Sequence, residues 1–157
     1  AREAEALPGC VAPLPSDYTR TGEFLEQIRA RCGELGTPAV TVAYIHKTAL
    51  KAPGLLAREV SAVANEVPVD FVHVLSRLRT PDPRDRTVPN PIPDEESLRA
   101  MPNLTYRKAV LGWIVEPSGS RWLTNREISA GVIRAVDTRA SVTPIGQIEP
   151  LDSNPTA

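Results

Sequence analysis

The chain is poor in the residues that usually carry chemistry. Among 157 residues there are two histidines, two cysteines, one methionine and only 4% aromatics. Two cysteines, Cys10 and Cys32, cannot staple a disulfide-dense scaffold, and spacing alone does not decide whether they pair. Cys32 falls on the apolar face of a helical pattern, which predicts a packed thiol rather than a reactive one. Of the histidines, His73 follows Asp70 at the i, i+3 spacing of half a carboxylate–histidine site, but Ala43 stands three residues before His46, so the second half is missing. A closed metal site needs three or four convergent ligands. No glycine-rich phosphate loop, G-x-G-x-x-G fingerprint or G-x-S-x-G nucleophile elbow occurs. The expectation is a chain with no catalytic residue, no metal and no cofactor.

Long apolar runs and net charge are also lacking. No stretch approaches 18 consecutive apolar residues, so no membrane span is expected. Residues 1–15 have neither the basic start nor the apolar centre of a signal peptide. Eighteen basic against nineteen acidic residues leave a formal charge of −1, which argues against binding nucleic acid through bulk charge. The length suits one domain.

Proline is what the chain does have: 16 residues, about twice the average frequency. Eleven fall in three segments. Pro8, Pro13 and Pro15 lie near the start, Pro81, Pro83, Pro89, Pro91 and Pro93 in the middle, and Pro144, Pro150 and Pro155 near the end. Proline fixes φ and removes an N–H, so these segments read as an extended N-terminal arm (1–15), a long loop (79–93) and an extended C-terminal arm (138–157). The arms carry apolar residues at intervals: Leu7, Val11 and Leu14, then Val142, Ile145, Ile148 and Leu151. These are the expected arm contacts.

Residues 16–137 read as a helical core. Phe24, Leu25, Ile28, Cys32 and Leu35 follow helical spacing after Thr21, and Gly36 is a natural stop. Thr37-Pro38 resembles a second helix start, although Val40, Val42 and Tyr44 also alternate as in a strand. Further helices are expected over 54–67, 69–78, 95–101 and 104–115. Thr124-Asn-Arg-Glu127 is a capping box opening a helix over 125–136. A hairpin pairing Trp113 with the region of Trp122 around Pro117-Ser118-Gly119 is the alternative to the 104–115 helix. The most economical reading is all-α, a compact bundle of six or seven helices with extended arms; the runner-up is α+β with a small sheet.

Fifteen of the eighteen basic residues are Arg. Arg77, Arg79, Arg84 and Arg86 cluster at the end of the 69–78 helix and into the Pro-rich loop, with Arg121, Arg126, Arg134 and Arg139 forming a looser group. Arginine forks suit carboxylate and phosphate, so these are the candidates for contacting an acidic partner or nucleic acid. The functional expectation is a non-enzymatic structural or assembly subunit. It would self-associate as a homo-oligomer or dock in a larger complex through its arms, in the manner of a coat or capsid protein. A small helix-turn-helix-like binding domain is the alternative.

Overall fold

The computed structural model describes residues 13–45, 49–76 and 95–149. The chain runs α1 (Thr21–Leu35), β1 (Val40–Ala43), α2 (Ala52–Ala64), β2 (Val69–Ser76), α3 (Glu95–Arg99), β3 (Leu104–Leu111), β4 (Trp113–Glu116), β5 (Gly119–Trp122), α4 (Asn125–Thr138) and β6 (Val142–Ile145). Four strands form one parallel sheet in the order β1-β2-β3-β6, and β4 and β5 form a separate antiparallel hairpin. The all-α expectation is therefore overturned: the protein is mixed α/β.

The reason lies in β2 and β3. The helix expected over 69–78 is β2, and most of the one expected over 104–115 is β3. A strand covered on both faces loses its polar–apolar alternation and becomes a continuous apolar run. In β2 every residue from Phe71 to Leu75 is buried. Phe71 and Leu75 face one core, and Val72 and Val74 face the other. The β-branched content was the strand signal. The same holds at β1, where alternation and β-branching outweigh the helix-start pair Thr37-Pro38.

Asn103 directly precedes β3. Its side chain accepts from Ser61 Oγ and donates to the carbonyls of Ser61 and Asn65. It thus secures the end of α2 beside the start of β3.

The layers are unequal. α1, α2 and α3 share one face of the sheet, where Leu56, Ala57 and Val60 pack on Phe71, Leu75 and Tyr106. α1 is the outer element. It buries no residue completely, and a forked Arg29–Glu59 pair at 2.7 and 2.8 Å ties it to α2. Among the described residues α4, with Leu123 just before it, covers the opposite face, where Ala135 and the flanks of Ile128, Val132 and Val136 meet Val72, Val74, Ala109 and Ile145.

This division has a topological consequence. β1–α2–β2 and β3–α4–β6 both step to the next parallel strand in the same direction, yet their helices lie on opposite faces. The two crossovers are therefore of opposite hand, although about 98% of such connections are right-handed. The β4–β5 hairpin is inserted in the second of them.

The hairpin follows the strand alternative, with Trp113 opposite Trp122 and Pro117-Ser118 between the strands. Gly112 lets the chain leave β3 close to β6: a Cβ there would lie 1.8 Å from the Gln147 carbonyl oxygen. Trp113 and Gln147 exchange main-chain hydrogen bonds at 3.0 and 2.7 Å. The capping box forms as expected, with Thr124 accepting from Glu127 N–H and Glu127 accepting from Thr124 N–H.

Candidate functional site

β1 is an edge strand whose neighbourhood sets it apart from the other edge, β6. Its residues alternate. Ala43 points into the α2-side core, whereas Val40, Val42 and Tyr44 point to the face on which α4 packs. α4 lies over β2, β3 and β6 rather than β1, so among the described residues this strip stays open: Val40, Val42 and Tyr44 are 40%, 45% and 62% exposed. Parallel sheets are ordinarily covered on both faces, so a bare apolar strip here is unusual.

The backbone of β1 is equally open. The Ala39 carbonyl accepts from Asp70 N–H, so by alternation the N–H and C=O groups of Val40 and Val42 face away from β2. Natural edges are commonly blunted by proline or charge. β6 has such a guard: the Ser141 and Ile145 carbonyls face β3, so the missing N–H of Pro144 falls on its outer side. Residues 37–45 contain no charged side chain and no proline beyond Pro38. Beside this edge runs a groove of about 600 Å³, with Phe24, Ile28 and Leu35 of α1 on one wall and Val40 and Val42 on the other. Thr41 Oγ1, which also lines it, is buried without a hydrogen-bond partner.

A polar cluster lies under α3. His73 Nδ1 is 2.8 Å from Tyr106 Oη, and both residues are buried. Arg99 stands over the Tyr106 ring at 5.6 Å and holds Glu95 at 2.9 Å; Lys108 Nζ reaches the same carboxylate at 2.9 Å. Burial, reinforced by the Glu95 charge, pushes the Tyr106 phenol well up, so it stays protonated. Burial works to raise the Glu95 carboxyl, but the bonds from Lys108 and Arg99 outweigh it and leave it lowered. Each charge here is answered within the cluster, and the arrangement fastens α3 to β3. Sequence spacing gave no hint of it, because its members come from three elements.

The arginines expected to bind a partner separate on folding. Arg77, Arg79, Arg84 and Arg86 lie outside the described residues. Arg121 is held by two carboxylates, Glu116 at 2.6 Å and Glu127 at 2.9 Å. Arg126 and Arg134 sit two turns apart on α4, and Arg134 Nη2 donates to the Pro144 carbonyl at 3.4 Å. α4 follows a hairpin rather than a preceding helix. Of the arm residues, Leu7, Val11 and Leu151 lie outside the described part, as do Cys10 and His46. Leu14 and Ile148 are half-buried. Val142 and Ile145 belong to β6, with Ile145 buried against α4 and Val142 exposed.

The half-buried Cys32 thiol is free, its pKa raised by burial and by the Glu59 charge. No family model, curated protein or solved structure matches the chain. Among the described residues no group of three or more His, Cys, Asp or Glu is placed to hold a metal. No helix among them is long and apolar enough to cross a membrane.

Proposed function

We propose that the chain is a non-enzymatic assembly subunit that self-associates through the edge and bare face of β1. The observation that carries this reading is the strip Val40, Val42 and Tyr44 beside main-chain groups that no strand among the described residues pairs, on the edge of the four-stranded sheet that has no proline within its strand. Strand addition satisfies the orphan N–H and C=O groups and covers the valines in one step. The occupant is a second copy of this chain. Residues 37–45 carry no charge, so two β1 strands can lie antiparallel about a two-fold axis without like-charge repulsion. An arginine-mediated contact with nucleic acid receives less support, because Arg121 is already neutralised by two carboxylates.

Sedimentation velocity of the full chain tests the reading. A dimer or larger species at tens of micromolar is expected. Val42→Lys places a charge on the open strip and should return the protein to monomer with its circular dichroism unchanged. Ile133→Lys, at a more exposed position on α4, should leave association intact. A strict monomer, or an assembly indifferent to Val42→Lys, overturns the proposal.

A further inference from the structure

β3 pairs with β2 along all eight of its residues, but with β6 only from Lys108 onward. Among the described residues the first half of β3 therefore has a second open edge inside the sheet. Lys108 N–H donates to the Ser141 carbonyl and Gly112 N–H to the Ile145 carbonyl. By alternation Tyr106 N–H points to the same side, beyond the start of β6.

The space left there is a groove of about 540 Å³. Its walls come from Arg99–Pro102 on one side and from Arg139 and Ser141 on the other, with Leu104–Arg107 between them.

Three guanidinium groups border this groove, and they differ in how far they are used. Arg99 is shared between Glu95 and the Tyr106 ring. Arg107 is 2% exposed. Its Nη1 donates to the Ala135 carbonyl at 2.8 Å and its Nη2 lies 2.8 Å from Asp70 Oδ2 as an ion pair, but neither Nε nor Nη2 has a hydrogen-bond partner among the described residues. Arg139, the residue that ends α4, is exposed and has no hydrogen bond or ion pair among the described residues. It sits at φ 55°, ψ 19°, a left-handed conformation that non-glycine residues other than Asn and Asp rarely adopt. Asp70 answers Arg107, and Glu95 answers Arg99 and Lys108, which leaves Arg139 as the guanidinium of this groove without a carboxylate partner among the described residues.

We propose that this groove is an oxyanion site. The acidic group of a small ligand, phosphate or carboxylate, would be taken by the Arg139 fork at the rim, with the Tyr106 N–H as a second donor. The charge of Arg107 would lie behind it. Guanidinium forks and strand-edge N–H groups are the donors such groups seek. The site is separate from the β1 edge and does not depend on how the chain assembles.

The test is titration of the full chain with inorganic phosphate and, in parallel, with acetate, each against sodium chloride of equal ionic strength. The readout is amide chemical shifts. Saturable shifts at Tyr106 and at Arg139–Ser141 are expected with at least one of the two anions, and which one responds identifies the ligand chemistry. Arg139→Asn removes the fork while keeping a residue comfortable in the left-handed conformation, so folding is preserved; affinity should fall at least tenfold. Arg126→Asn, at the far end of α4, should change nothing. Shifts no larger than those with chloride, or binding retained in Arg139→Asn, overturn the proposal.

Discussion

Arg107 and Asp70 meet across the two central strands, Nη2 to Oδ2 at 2.8 Å. The guanidinium is almost fully buried and the carboxylate 22% exposed. The approach is close but poorly angled for a hydrogen bond, so the coupling is chiefly Coulombic. Through Nη1 the same guanidinium reaches the Ala135 and Val136 carbonyls in the last turn of α4. One side chain thus joins β2, β3 and α4. Removing its counter-charge leaves a buried cation. Asp70→Ala is expected to cost about 3 kcal/mol or more in urea unfolding. Asp70→Leu combined with Arg107→Met removes both charges and should cost less than the sum of the single substitutions. Strict additivity would show that the pair is not coupled.

Two helical glycines should respond to alanine with opposite signs. In α4 a Cβ at Gly131 would lie 2.4 Å from Ile145 Cγ2. Helix propensity favours alanine by about 1 kcal/mol, but forcing α4 off the sheet costs about 1–3 kcal/mol, so Gly131→Ala is expected to lower the melting temperature. At Gly33 in α1 nothing stands within 4 Å of the added atom. There the propensity gain is unopposed, and Gly33→Ala should raise stability by up to about 1 kcal/mol.

Acid should loosen the start of α4 before it loosens the sheet. Glu127 accepts from Arg121 and from the N–H and hydroxyl of Thr124. These bonds, that of Arg121 foremost, hold its carboxyl down at about 2 from an ordinary 4.5. A group lowered in the folded state stabilises fully above its unfolded pKa and loses that contribution as pH falls through the folded value. Wild type should therefore melt above Glu127→Gln at neutral pH. The gap should shrink from about pH 5 and close near pH 2. A gap that stayed constant over this range would show that the ionised carboxylate is not what matters.

The sequence was most legible where local chemistry decides. Thr124 and Glu127 lie three residues apart and satisfy each other's N–H groups, so their box needed no tertiary knowledge. The helix expected over 54–67 is α2, and the hairpin alternative rested on the turn residues Pro117 and Ser118. The sequence was least legible where two layers meet. Val72 and Val74 are buried by α4, about sixty residues away in the chain, and Phe71 and Leu75 by α2. A strand sandwiched in this way shows no period, and its apolar run fits helical spacing equally well. β6 was hidden for a different reason. Pro144 reads as an arm residue, and an edge position with its N–H side outward is where a strand tolerates proline. The bare strip on β1 and the groove beside β3 were invisible because each depends on what a neighbouring element fails to cover.

The order β1-β2-β3-β6 matches the order in which the strands are synthesised. Each new strand joins the outside of the pair or triplet already made, and none has to be threaded between two earlier partners. The sheet can therefore grow outward from β1 as the chain leaves the ribosome, without reopening any ladder. β1, the first strand made, gains its only partner strand in the sheet when β2 arrives. Its outer edge is never claimed by any later strand of that sheet, so the oldest part of the sheet is also the part left available to another molecule.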